Sequence, residues 1–174
     1  RIFTWNSDLL DLDTRKYQKT NFVSRLDIYK NYHSNIKDKF LTCISGNKVK
    51  SGGGELYSAR LKFIKWCERN HPKDFDLYGR GWNNVILNSN SILRLFNPFL
   101  RKICFKNKFR PSWRGSVDNK LLTLSQYKFN ICFENSCAYD NYITEKLINS
   151  FVAGSIPIYY GAKNILDFVP GDCF

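Results

Sequence analysis

The chain has 174 residues, of which 43% are hydrophobic, 16% aromatic and 24% charged, the balance of a soluble globular protein of about one domain. No run approaches the roughly 18 consecutive apolar residues of a membrane-crossing helix, and the longest, such as Ile156 to Tyr160, suit buried strands, so the sequence as given excludes an integral membrane protein. The formal net charge of +12 fits nucleic acid, anionic membrane surfaces or phosphorylated small molecules as partners, but Lys is spread along the chain, and a solvated basic face explains the charge equally well.

The chain opens on Arg1 and contains no Met, so it reads as a fragment whose start lies upstream, and Asp167 to Phe174 reads as the entry to a further strand. Residues 1–38 are polar, aromatic and without sustained period, and are expected to connect toward a neighbouring domain. Phe40 to Ile44 is a short apolar run closed by Ser45-Gly-Asn47, the form of a buried strand and turn. After the glycines of 52–54, Leu56, Ala59, Phe63, Ile64 and Cys67 recur at helical spacing and predict an amphipathic helix from about Glu55 to Arg69. Phe75 to Tyr78 then predicts a second strand, giving a βαβ order.

Residues 82–118 are interrupted by Asn and rich in Lys and Arg, and are expected to form an insertion or a pair of short elements. Asp118 is placed to cap a short helix carrying Leu121, Leu122 and Leu124. Lys128 to Phe133 predicts a strand, Thr144 caps a helix through about Val152, Gly154 stops it, and Ser155 to Tyr160 predicts the next strand. Ile165, Leu166 and Phe168 begin a last short helix. Alternation at these lengths implies an α/β fold, a Rossmann-like, mostly parallel sheet with helices on both faces. Ligands of such sheets sit at the carboxyl ends of the strands, here Ser45-Gly-Asn47, Gly79-Arg-Gly81, Glu134-Asn135 and Gly161-Ala-Lys163.

Six Cys include no CxxC pair and none lies at zinc-ligand spacing with His. Several, such as Cys132, sit in apolar runs where a free thiol behaves as a small hydrophobe. This favours a reducing, cytoplasmic setting, while the even count leaves disulfides open.

The segment from Phe133 to Lys146 gathers Asn, Tyr, Glu and Lys immediately before a helix N-terminus. Free backbone N–H groups and the dipole make that end an anion site, and Lys146 adds a full charge there. As a cation in the first turn Lys146 opposes the dipole by roughly 0.3–1 kcal/mol, a conflict that a bound anion would remove. An ordinary capped helix start with solvent-facing charges explains the same residues, and Glu134 and Asn135 can equally be turn formers.

The strings YKFNICFEN, YITEKLINSFVAGSIPIYYGA and DFVP closely resemble the signature of the α1,3/4-fucosyltransferase family, glycosyltransferase family ten; the likeness reaches more weakly to Ser45 to Asn47, Tyr57 to Arg60 and IFTWN near the start. The resemblance implies a two-domain GT-B fold in which residues 39–174 form the C-terminal, GDP-fucose-binding domain, truncated at its end, and 1–38 lead toward an absent acceptor domain. It implies transfer of fucose from GDP-fucose to a glycan acceptor with inversion, no required cofactor and no metal. Arg60 and Lys146 would hold the diphosphate, Asn135 and Tyr142 would touch the nucleotide or its phosphates, and Glu145 would accept from ribose or fucose hydroxyls. A guanidinium and an ammonium suit the negative charge that develops as GDP departs.

The general base of the family belongs to the other domain, so no catalytic residue is assigned in this chain; Glu134 is a minor candidate for that role, and Lys120 and Arg80 are minor donor candidates. Asp11-Leu-Asp13 is the nearest approach to a DxD metal motif, in the connecting segment. Competing readings are a GT-B transferase using another nucleotide sugar, and a basic nucleic-acid or anionic-membrane module with Tyr and Phe among its Lys. A transferase working on lipid-linked or lipopolysaccharide glycans would also touch membranes peripherally. A bacterial or viral cytoplasmic enzyme is preferred over a Golgi one released from an upstream anchor; acceptor, linkage and oligomeric state are left open.

Overall fold

The computed structural model describes residues 1–20, 36–83 and 110–174. Its centre is a four-stranded, fully parallel sheet of β3 (Lys39–Ile44), β4 (Phe75–Tyr78), β5 (Tyr127–Phe133) and β6 (Ile156–Tyr160), in the order β4-β3-β5-β6. Helix α2 (Tyr57–Asn70) connects β3 to β4, α3 (Lys120–Leu124) precedes β5, and α4 (Glu145–Val152) connects β5 to β6.

Alternation along β5 explains why helices cover both faces. Ile131 and Phe133 join Leu41, Cys43, Phe75, Leu77 and Trp82 in a core closed by Ile64 and Cys67 of α2. Asn130 and Cys132 point the other way, to Ser150 of α4. The chain leaves β3 toward one edge through α2 and leaves β5 toward the other through α4, so right-handed crossovers place the two helices on opposite faces. Strand order therefore reverses between β3 and β5, and the crevice outside their carboxyl ends is where ligands of such sheets bind.

Local signals act as the sequence predicts at most ends, with shifts of one or two residues. Thr144 caps α4. At its far end Gly154 has φ 66°, and the bonds Gly154 N–H to Phe151 O and Ser155 N–H to Ser150 O form a Schellman stop. The cap of α3 is Asn119, whose Oδ1 accepts from Leu122 N–H at 3.0 Å, in place of Asp118. Helix α2 starts at Tyr57, and Glu55 lies just ahead of it, its carboxylate accepting from the Ser58 N–H and hydroxyl. The last helix is one 3₁₀ turn, Ile165–Asp167, followed by another at Gly171–Cys173.

Two expectations change. The described start of the 1–38 segment is ordered: β1 (Ile2–Thr4) and β2 (Tyr17–Lys19) pair in parallel, joined through α1 (Ser7–Leu12), which Asn6 caps. Three-residue strands are too short to show a period, which is why the sequence hid them. Of the 82–118 insertion, 84–109 lie outside the described residues, but its end runs beside β4 as an added edge. Leu77 N–H donates to Ser112 O at 2.9 Å and Arg114 N–H to Leu77 O at 2.8 Å. The ion pair of Arg110 with Glu68, both side chains nearly buried, pins this edge to α2.

Candidate functional site

The site is built where β5 ends. Glu134 N–H bonds Tyr160 O, which carries the sheet one residue further, and its side chain turns into the space before α4, where it is 0% exposed. There Oε1 accepts from Thr144 N–H at 2.8 Å, and Oε2 accepts from the Thr144 hydroxyl at 2.7 Å and from Lys146 Nζ at 2.8 Å. Lys146 Nζ also donates to Thr144 Oγ1 at 2.9 Å. Thr144 is thus both the helix cap and the link between cation and carboxylate.

This arrangement corrects two readings. The conflict between Lys146 and the α4 dipole is met internally, by the Glu134 carboxylate, and does not wait for a bound anion. Glu134 is also no acceptor's base: its carboxylate faces protein, with both oxygens engaged. The Lys146 side chain keeps 23% of its surface open and lines a cavity with Glu145.

Arg60 occupies the other flank. It lies in the first turn of α2 on the inward side, 5% exposed, and Nη2 donates to Phe133 O at 2.7 Å, Glu134 O at 2.8 Å and, more weakly, Asn135 Oδ1 at 3.4 Å. Its guanidinium lies over the Tyr57 ring. It lines a cavity of about 190 Å³ that is bounded by Asn47, Lys48, Lys50, Tyr57 and Trp82. Two sequence features shape that cavity. Gly79, at φ +128°, lets β4 end against β3, since a Cβ there would lie 1.9 Å from Ser45 O. Trp82 closes the wall through its Nε1–H bond to the same Ser45 carbonyl at 2.7 Å.

Asn135 links Arg60 to the loop before α4. Its Oδ1 accepts from Arg60 and its Nδ2 is 3.5 Å from Tyr142 Oη, while the Tyr142 ring packs on Trp5 at 5.4 Å. Asn141, at φ 61°, adopts the left-handed conformation Asn tolerates, and donates to Trp5 O and exchanges hydrogen bonds with Asn164. The N-terminal β1–β2 unit therefore packs directly on the site loop.

Glu145 borders, together with Lys146, a small cavity of about 30 Å³ that Lys120, Leu124, Asn130 and Asn149 also line, next to the end of β3 at Ile44. Lys120 thus stands near Glu145, whereas Arg80 offers its backbone carbonyl to Asn47 N–H and its exposed side chain borders neither cavity. Asp13 caps a turn through the N–H groups of Arg15 and Lys16, away from these cavities. The sequence missed Thr144 as a linker, Trp82 as a wall and the Lys48–Lys50 loop. The Gly-rich stretch at 52–54 was the one signal that could have marked that loop as backbone shaped to approach a ligand.

The family model for glycosyltransferase family 10 (fucosyltransferase), C-terminal part, matches residues 57–174, from α2 through the end of the chain. The chain belongs to glycosyltransferase family 10. Among relatives of this family, an α-(1,3)-fucosyltransferase of Helicobacter pylori is 50% identical over 56 residues, 32% of this chain and 12% of that protein. An α-(1,4)-fucosyltransferase of Arabidopsis thaliana is 47% identical over 53 residues, 30% of this chain and 13% of that protein. A GDP-fucose protein O-fucosyltransferase 3 of Bos taurus is 38% identical over 74 residues, 40% of this chain and 15% of that protein. The matched stretches are thus a small part of each relative's length. A crystal structure of an α1,3-fucosyltransferase with GDP-fucose superposes on 79% of this chain and 30% of its own, with a TM-score of 0.49 and 23% identity.

Proposed function

We propose that this family 10 chain is the donor-binding part of an inverting fucosyltransferase of the GT-B type, that it takes GDP-fucose in the crevice at the carboxyl ends of β3 and β5, and that fucose passes to a glycan acceptor presented by another part of the protein. The observation that carries the reading is the pair of cations anchored at the carboxyl end of β5. Arg60 is held by the carbonyl oxygens that end β5, and Lys146 by Glu134 and Thr144. Preorganised donors of this kind stabilise charge that develops on a leaving group without reorganising during the step. As the bond from the sugar to the diphosphate lengthens, negative charge grows on the diphosphate, and the guanidinium and ammonium meet it directly.

The remaining residues are read by position. Asn135, bonded to Arg60, and Tyr142 beside it contact nucleotide or phosphate, and Glu145, which shares a cavity with Lys120 and Lys146, accepts from a donor hydroxyl. The choice of a guanosine donor is supported by the fucosyltransferase family itself and by a relative that is named for GDP-fucose. A general base is read as lying outside this chain, since Glu134 is engaged.

Thermal unfolding with nucleotides tests the proposal. GDP and GDP-fucose raise the melting temperature and UDP does so little, and Lys146→Ala removes the shift. Absence of any GDP effect on the wild-type protein overturns it, and a larger shift with another nucleotide assigns a different donor.

A further inference from the structure

We propose that Glu134 is a positioning residue for the transfer step, acting on the departing diphosphate through Lys146. The inference rests on the reading above in which Lys146 meets the donor's diphosphate. A carboxylate with no exposed surface is costly to keep unless paired and fully hydrogen-bonded, and Glu134 meets that condition with three donors on two oxygens. Those bonds fix more than the carboxylate. Because the Thr144 hydroxyl gives its proton to Oε2, its lone pairs are turned to Lys146, where they accept from Nζ at 2.9 Å. Two of the three ammonium donors are thereby committed in fixed directions, and the third is aimed by the other two.

The pocket leaves the carboxylate no alternative place. Gly161 closes over it so tightly that a Cβ at that position would lie 2.6 Å from Glu134 Cγ and 2.4 Å from Tyr159 Oη. Tyr159 is itself held, accepting from Ala162 N–H at 3.0 Å. Glu134 therefore cannot swing out to touch a substrate, and its effect must pass through Lys146. A glutamine in its place would keep an oxygen for Thr144 N–H but would turn its NH₂ toward the ammonium and the threonine hydroxyl. Two donors would then face each other, and Lys146 would lose its direction.

The test is a kinetic double-mutant cycle in the full-length enzyme, with wild type, Glu134→Gln, Lys146→Ala and the double variant, each checked for folding by its melting temperature without donor. Misdirecting a group that acts on the reacting bond costs on the order of 10- to 100-fold in rate, so Glu134→Gln is expected to lower kcat by about that factor while the KM for the acceptor stays unchanged. In the Lys146→Ala background the same change is expected to alter kcat by less than about twofold, the non-additivity of residues that act as one unit. A folded Glu134→Gln enzyme with wild-type kcat, or losses that multiply in the double variant, overturns the inference while leaving the donor reading intact. A Lys146→Ala enzyme with unchanged donor kinetics brings down the donor reading, and this inference with it. If Glu134→Gln does not fold, Thr144→Val replaces it, removing only the hydroxyl between the two charges; a comparable kcat loss confined to enzymes that retain Lys146 is expected, and a wild-type kcat overturns the proposal.

Discussion

Replacing Arg60 with Ala separates two roles that the structure assigns to one side chain. Its Nη2 donates two short bonds, 2.7 and 2.8 Å, to the carbonyl oxygens of Phe133 and Glu134, and a third at 3.4 Å that is too long to count for much. Hydrogen bonds to a charged group contribute about 1.5–3 kcal/mol each, so the two short ones together amount to about 3–6 kcal/mol, a large part of the 5–15 kcal/mol that stabilises a domain. At about 2–4 °C per kcal/mol for a chain of this size, Arg60→Ala should lower the melting temperature by between about 6 and 24 °C. Arg60→Lys should lose less, since an ammonium keeps the positive charge and can still donate to a carbonyl, though on a shorter side chain without the guanidinium plane. The assay is calorimetric or fluorescence melting without and with saturating GDP. Both variants should also lose most of the GDP-induced shift. An Arg60→Ala protein that melts like wild type, whatever happens to GDP binding, would refute the claim that this guanidinium fastens the end of β5 to α2.

Acid stability should depend on Asp76: burial alone would raise its carboxyl, but hydrogen bonds from Tyr127 and Arg114, with the nearby Lys39 charge, outweigh burial and hold it below the ordinary value. A depressed carboxyl contributes stability above its unfolded value near pH 4 and loses it as pH falls through the folded value, so Asp76→Asn should weaken the protein at pH 7 and flatten the acid limb below about pH 4 in urea melts. Cys43, Cys67 and Cys132 are buried, and desolvation pushes Cys67 up to about 11 and Cys132 up to about 12. At pH 8 a thiol-reactive disulfide should therefore modify Cys173 and Cys137 in the native protein and reach those three only on unfolding; fast native labelling of Cys132 would contradict the packing of β5 on α4.

The sheet was legible because each main strand carries an apolar run bounded by turn residues, and because α2 and α4 carry apolar residues at helical spacing with a recognisable start. Thr144 and Gly154 announced α4 to the residue. What stayed hidden depends on contacts between distant positions. Glu134 and Lys146 are twelve residues apart, and nothing in that spacing shows that a strand end and a helix start bring their charges to 2.8 Å. A cation in the first turn looked like a helix awaiting an anion, although its partner stood at the end of the preceding strand. Trp82 was hidden for a similar reason: it lies at the start of a segment with no period, and only its bond to Ser45, across the β3 and β4 ends, makes it a cavity wall.

The two cations are held by different means, and the difference sets what each contributes. Lys146 is fixed by an anion, so the Glu134–Lys146 pair is close to neutral and offers a ligand a directed donor more than a net field. Arg60 is fixed by oxygens of neutral groups, two backbone carbonyls and the Asn135 amide, so its positive charge is not cancelled by those bonds. A buried guanidinium bonded to neutral oxygens, beside a cavity rimmed by Lys48 and Lys50, is the stronger attractor of a diphosphate, since low-dielectric walls strengthen the field of a charge within them. The α2 side of the crevice then adds net field to the binding that both cations share, and the α4 side also aligns the leaving group, which is why the reversal of strand order between β3 and β5 matters to the chemistry: it puts the N-termini of helices from opposite faces of the sheet at the edges of one crevice.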